Sequence, residues 1–420
     1  MFEGEDAVKL HEKLSRVSPL CALCRGTRGL CGLGYCPILS KYYSLKSAAS
    51  ALKETQLQAQ TPPGVFVGRI GYPRVFAGPL FSTSAEDPYL YDTPELWGSI
   101  GLDSLIRMRS ALIRGKNPTR VDETSGMIQQ LQEIALSKTP AEVEIQLAKQ
   151  PSGLITFDEN AQPMGPSVEL LKLRVVSSRS DRTVESVVSD DDMRSDEAMF
   201  KLYGDGLLVS RIQKILSVGL LGEKKERKVV PTRWSITAVD DVLSKKLLEK
   251  VKYFPELNEY LLYRHDSLDN AYLVLLLPGK WEYELVEAWY PGTVWNAFGQ
   301  TIAIYSSYEA FRGRKTYAEI GGCYYSGRLS VAEALYGMRR QARALILREA
   351  REGYVLPVGV WHVRESVRKA LSTSPEVYSS LEEILQAIGR NSTVPVKDWV
   401  AKSILLEEAL RRRSILEFLT

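Results

Sequence analysis

The spacing of apolar positions changes several times along the chain, and each change predicts a different element. In residues 64–80, GVFVGRIGYPRVFAGPL, β-forming side chains sit between Gly and Pro, which predicts strands joined by a tight turn. Residues 93–115, TPELWGSIGLDSLIRMRSALIRG, predict a helix, with Thr93 as N-cap, Pro94 in the first helical position and Gly115 as its stop. Residues 123–150 predict two helical segments broken at Pro140. The Ser- and Asp-rich stretch 177–206 predicts a long loop that enters a helix near Asp191. Residues 207–220 are apolar and stop at Gly219. AYLVLLLPG, residues 271–279, ends too early at Pro278 to cross a bilayer and predicts a buried strand. From about residue 270 to 326 β-formers and aromatics dominate, as in a strand meander, and a long helix is expected from Ser330 to Glu352. No internal repeat is evident. The fold class expected is α+β.

Charge sharpens this picture at the expected long helix. At about 100° per residue, Arg339, Arg340, Arg343, Arg348 and Arg351 fall on one half of its circumference, opposite Leu335, Met338, Ala342, Leu345 and Ile346. Such a face suits a phosphate rail, because each guanidinium can bond two phosphate oxygens; an ordinary solvated face is the alternative. Just before it, GGCYYSGR offers a helix entrance around Ser326, Arg328 and Ser330 as an anion-binding corner, or simply turn glycines. The net charge of +3 over 420 residues is too small to prove a nucleic-acid partner. Asp190, Asp191 and Asp192, with Asp196, Glu197, Asp240 and Asp241, form acidic groups. They would suit Mg²⁺ in a nuclease or nucleotide-processing enzyme, or act as helix caps, which their spacing favours.

Four of the five cysteines, Cys21, Cys24, Cys31 and Cys36, lie in CALCRGTRGLCGLGYC. A CxxC pair followed by a second cysteine pair in a Gly-rich loop suits a closed, structural four-thiolate zinc site; an iron–sulfur cluster and two disulfides are the rivals. With only His11, His265 and His362 available, a Ser–His relay has little to draw on, and His362 is expected to be a packing residue. The opening MFEGEDAVKLHEKL is charged and carries no signal-peptide pattern, so a cytoplasmic protein with no membrane partner is expected. The organisation expected is a zinc module with flanking helices at 1–50 and an α+β domain at 51–270. A domain of strands and a long basic helix follows at 271–405, and then a flexible tail at 406–420.

The chain ends RRRSILEFLT, and Arg412-x-x-Ile415-x-x-Phe418-Leu419 looks like the peptide box that binds the sliding clamp PCNA. Arg412 stands where that box has Gln, and Leu419 where it has a second aromatic. A helix packed at home is the plainer reading of the same residues. The four-Cys segment and the tail, together with residues 64–80, LYDTPELWG (90–98), RKVVPTRWSITAVDD (227–241) and GRKTYAEIGGCYYSGRLSVAEAL (313–335), resemble the archaeal Nre family. The resemblance implies a DNA-damage repair role in partnership with the replication clamp and no settled chemistry. Three readings follow. The first is a clamp-recruited DNA-binding repair factor; the second is a metal-dependent nuclease or nucleotide-processing enzyme on damaged DNA. The third, weaker one is a nucleotide-binding regulator using the Gly-rich blocks 64–79 and 321–328.

Overall fold

The structure is a computed structural model that describes residues 23–24, 28–32, 34–82, 87–150, 164–354 and 356–419, with side chains to Arg411. It divides into two compact units, Pro37–Leu243 and Met1–Cys36 with Ser244–Thr420.

The unit Pro37–Leu243 holds strands β1 (Gln56–Thr61), β2 (Val65–Val67), β3 (Arg74–Phe81), β4 (Ile113–Arg120), β5 (Ala141–Leu147) and β6 (Ser167–Ser177). They form one sheet in the order β1-β5-β6-β4-β3-β2, parallel only between β4 and β6. Helices α1 (Pro37–Ala51), α2 (Pro88–Tyr91), α3 (Leu102–Ala111), α4 (Gly126–Leu136), α5 (Arg182–Val188), α6 (Ser195–Gly204) and α7 (Val209–Ser217) surround it, and α8 (Thr232–Val251) runs through the division.

Several expectations change here. Residues 141–147, AEVEIQL, alternate strictly and form a strand with every second residue buried, not a second helix after Pro140. Pro94 opens only a 3₁₀ turn, whose first N–H groups the Thr93 hydroxyl does not cap, since it donates to Tyr89 O instead; α3 starts later and ends before Gly115, which lies inside β4. The polar stretch after β6 carries two helices, α5 and α6, the first capped by Asp181, whose side chain accepts the Thr183 N–H.

In this unit the blocks LYDTP and TPPG meet at Asp92. Its carboxylate is buried between Arg109 and Lys214, whose Nζ lies 2.8 Å away. Burial alone would raise the pKa of Asp92, but the two cations outweigh it and hold it below the ordinary value.

The other unit contains β7 (Tyr260–Ser267), β8 (Asn270–Leu277), β9 (Glu282–Trp289), β10 (Ala303–Glu309), β11 (Arg343–Ala350) and β12 (Glu376–Tyr378). The sheet order is β10-β9-β11-β8-β7-β12, so β11 inserts between β8 and β9 and runs parallel to β9. The meander is thus interrupted by a strand that comes later in the chain. Helices α9 (Gly322–Met338) and α10 (Trp361–Leu371) cover one face; α11 (Leu381–Asn391), α12 (Val396–Lys402) and α13 (Ile404–Leu419) cover the other. Because both faces are covered, β8 and β11 are buried at every position, as expected for AYLVLLLP.

Buried carboxylates of the central strands hold the C-terminal helices. Glu284 of β9 accepts Ser403 Oγ at 2.7 Å and the N–H groups of Ile404 and Leu405 at 3.0 and 2.9 Å, which caps the start of α13. Leu405 and Leu406 sit in the core beside it. The backbone of α13 continues through Leu419, so residues 406–419 are helical where the sequence suggests a flexible tail.

Candidate nucleic-acid interface

The expected arginine rail does not form, because residues 330–352 are not one helix. Helix α9 ends at Met338, Arg339 takes the left-handed C-cap conformation (φ 54°), and residues 343–350 are β11. Strand alternation puts Arg343 and Arg348 on opposite faces of the sheet. Arg343 reaches Glu282 and Glu408, both at 3.2 Å. Arg348 is fully buried, 2.7 Å from Glu287 and 2.9 Å from Asn270 Oδ1, with its guanidinium carbon 4.9 Å from the Trp289 ring centre and close to Tyr272 and Tyr354. Arg351 pairs with Asp266 at 3.3 Å. Arg339 and Arg340 are exposed.

The anion corner also moves. Helix α9 begins at Gly322, so Ser326 and Arg328 lie inside it and face the core. Ser326 Oγ donates to Cys323 O, and Arg328 pairs with Glu309 at 2.7 Å and donates to Ser244 Oγ. Gly327 brings this helix close to the sheet: a Cβ there would lie 2.7 Å from Tyr283 Oη and 3.0 Å from Ile346 Cδ1. His362 is a buried packing residue, kept far below the ordinary histidine range by burial and by Arg348; its Nδ1 lies 3.3 Å from Tyr272 Oη. Desolvation, with Glu287 nearby, pushes the Cys323 thiol up to about 12, which disfavours the thiolate.

The acidic candidates stay apart. Asp190 accepts the N–H groups of Asp192 and Met193 in a turn, Asp191 pairs with Lys224 at 2.8 Å, and Asp240 is buried with Gln213 Nε2 on its Oδ1. Among the described residues no three His, Cys, Asp or Glu side chains gather as metal ligands. Cys24 is buried, Cys31 and Cys36 are half-buried, and Cys21 lies outside the described residues. The four-thiolate set expected for zinc therefore lies partly outside the described residues. Of the tail residues Arg412, Ile415, Phe418 and Leu419, only the helical backbone is described.

What the structure does assemble lies in the unit Pro37–Leu243, on the hairpin β2–β3 and its neighbour β4. Odd-numbered Val75 and Ala77 point into the core, so even-numbered Arg74 and Phe76 face solvent. Register then places Arg120 opposite Arg74 and Pro118 opposite Phe76. The same row runs on to Lys116 and Arg114, which sit over the ring of Phe66, with Lys116 Nζ 5.9 Å and the Arg114 guanidinium carbon 5.2 Å from its centre.

At the outer end the loop between the strands turns at Gly71 (φ 87°) and presents Arg69, Ile70, Tyr72 and Arg74. Ile70 is 87% exposed and Tyr72 50%, and Tyr72 lies 5.0 Å from the half-exposed Trp234, which follows the exposed Arg233. Apolar rings and arginines thus share a surface on which Asp122 is paired with Arg120 at 3.0 Å. Bases stack on such rings while the arginines meet phosphates. From the sequence this stretch reads as strands and as a Gly-rich block for a nucleotide, not as a basic, aromatic surface. The signal available was GRIGYPRVF, in which arginines alternate with apolar and aromatic residues and no acid intervenes.

Fold and surface together define an α+β protein of two units, one of which carries a basic, aromatic surface. The chain belongs to the archaeal Nre family: the model for "Archaeal Nre, N-terminal" matches residues 30–296 and that for "Archaeal Nre, C-terminal" matches residues 309–418. It is 40% identical over 400 residues to DNA repair protein NreB of Archaeoglobus fulgidus, covering 95% of this chain and 100% of that one. It is 38% identical over 390 residues to DNA repair protein NreA of the same organism, covering 92% and 96% of the two chains. With DNA repair protein NreA of Haloferax volcanii the identity is 36% over 320 residues, covering 73% and 76%. No solved structure matches significantly.

Proposed function

We propose that this protein is a DNA-repair factor that grips DNA with the arginine–aromatic face around β3 and is brought to the replication clamp by its C-terminal helix. The observation that carries the reading is the exposed row of Arg74, Phe76 and Arg120 beneath the Arg69–Tyr72–Trp234 tip. The repair role rests on the relatives, which are named DNA repair proteins. Clamp recruitment rests on the spacing of Arg412, Ile415, Phe418 and Leu419, with the α13 backbone helical as far as Leu419. A structural zinc ion on Cys21, Cys24, Cys31 and Cys36 belongs to the same reading and supplies no catalysis. No described carboxylates gather in support of a nuclease, so a binding role is preferred to an enzyme.

The test is DNA binding measured by fluorescence anisotropy against salt. Arg69→Glu with Arg74→Glu should weaken binding to every sequence and flatten the salt dependence by about 0.9 per lost phosphate contact on duplex. Arg339→Glu with Arg340→Glu, changes in the other unit, should leave both nearly unchanged. The reverse pattern in folded variants would overturn the assignment.

A further inference from the structure

The inner end of the same row has a feature that the exposed tip lacks. Arg114 and Lys116 are neighbouring cations that both lose water. Burial lowers each pKa, Arg114 to about 10, with Arg109 adding repulsion at Arg114 and Arg114 adding repulsion at Lys116. Among the described residues neither is in an ion pair, and the Arg114 Nε is buried with no hydrogen-bond partner. Glu169, beside Lys116 across the β4–β6 pairing, is exposed and does not reach it. Arg114 has Met164 Sδ at 3.8 Å from one terminal nitrogen and the ring of Phe66 beneath it. Phe66 in turn packs on the cluster of Leu80, Tyr91 and Leu112, so the apolar roof of the sheet begins here. Two desolvated like charges without a counter-ion are costly in a free protein, and an anion would relieve both. At low local dielectric its attraction to them is also strong.

Resting on the DNA-binding reading above, we propose that Arg114 and Lys116 seat a backbone phosphate of single-stranded DNA whose neighbouring bases stack on Phe76 and the Tyr72–Trp234 pair. From Arg114 to Arg120 the row spans six residue steps, about 20 Å at ~3.4 Å each, enough for a short run of nucleotides. The seat is half-buried and flanked by a roof, so it takes a lone strand. The rings at the tip need unpaired bases to stack, and a duplex keeps its bases stacked on one another. The ligand class is therefore an unpaired DNA strand at a gap, flap or fork.

The test uses the full-length protein with Arg114→Met and Lys116→Met together, and separately Phe76→Ala. The probes are a labelled 20-nucleotide single strand and the matching duplex. The double methionine variant should fold at least as stably as the parent, since it removes desolvated charge. It should lose about tenfold or more in single-strand affinity and reduce the single-strand salt slope by about 0.7, the share of one phosphate contact. Phe76→Ala should lose roughly tenfold on the single strand at an unchanged salt slope. Duplex binding should change little in the methionine variant. Unchanged single-strand binding in the methionine variant, with duplex binding intact, overturns this inference and leaves the proposed function standing. Failure of the parent to bind either probe overturns the proposed function itself. Competition by inorganic phosphate as effective as by unlabelled oligonucleotide would overturn the strand-tracking part and leave only an anion seat.

Discussion

Replacing Glu287 by Gln removes the charge that faces Arg348 while keeping the shape of the side chain. The two groups are 2.7 Å apart, with side chains 2% (Arg348) and 5% (Glu287) exposed, so water cannot take over the role of the carboxylate. Asn270 and the rings of Tyr272, Trp289 and Tyr354 remain, but none carries a negative charge. Breaking a buried pair on one side costs about 3–5 kcal/mol, because a bare cation is left in the core. For a unit of this size, about 2–4 °C of Tm is lost per kcal/mol, so a fall of roughly 10 °C is expected. Glu287→Leu combined with Arg348→Met should recover most of that loss, giving a coupling of at least ~2 kcal/mol. Urea titration followed by circular dichroism, with both singles and the double, measures this directly. A Glu287→Gln cost below ~1 kcal/mol, or a double variant no better than either single, would refute the buried-pair account. Had Arg348 stood on a solvated helix face, its replacement would cost within about 0.5 kcal/mol.

Three further outcomes are expected. Asp92→Asn leaves Arg109 and Lys214 without their carboxylate and should cost about 3 kcal/mol at pH 7. Because the Asp92 pKa is depressed in the folded state, its contribution is fully present above the unfolded value near 3.8 and is lost as pH falls through the lower folded value. Urea titrations at pH 7 and pH 3 should therefore show a smaller acid loss in Asp92→Asn than in the parent, and equal losses would contradict this. Elemental analysis of the purified protein should return about one zinc per chain; iron with visible absorption would point to a cluster instead. Deleting residues 414–420 should abolish binding to the PCNA clamp, expected at about micromolar affinity, near 8 kcal/mol, and leave the Tm nearly unchanged. A Tm lowered by several degrees in a chain that ignores the clamp would make those residues part of the fold.

The elements that the sequence made legible are those whose pattern has one physical reading. An apolar run such as AYLVLLLP has to be buried on both sides, and the Gly- and Pro-bounded halves of residues 64–80 have to pair across a turn. RALILREA is different. Its leucines and arginines fit a helix wheel as well as a strand, and what decides is Glu287, 61 residues away, waiting as the partner of Arg348. AEVEIQL reads as helix although its alternation is strict, because its helix-forming glutamates and leucine mask the period of two. The candidate interface stayed hidden for a related reason. Arg114 and Phe76 are far apart in sequence, and only the register of β3 and β4 puts them in one row.

The capping of α13 by Glu284 has a mechanical consequence. The helix is a strut of 16 residues, about 24 Å long at 1.5 Å per residue, rooted at its first turn in a central strand and not hung from a loop. A load applied at its far end is carried along the helix axis to Ile404 and Leu405 and from there into β9, whose hydrogen bonds to β10 and β11 spread it across the sheet. The end of the chain thus behaves as a lever with a fixed fulcrum. Traction there would be felt in the middle of the sheet before any single hydrogen bond at the surface had to give way.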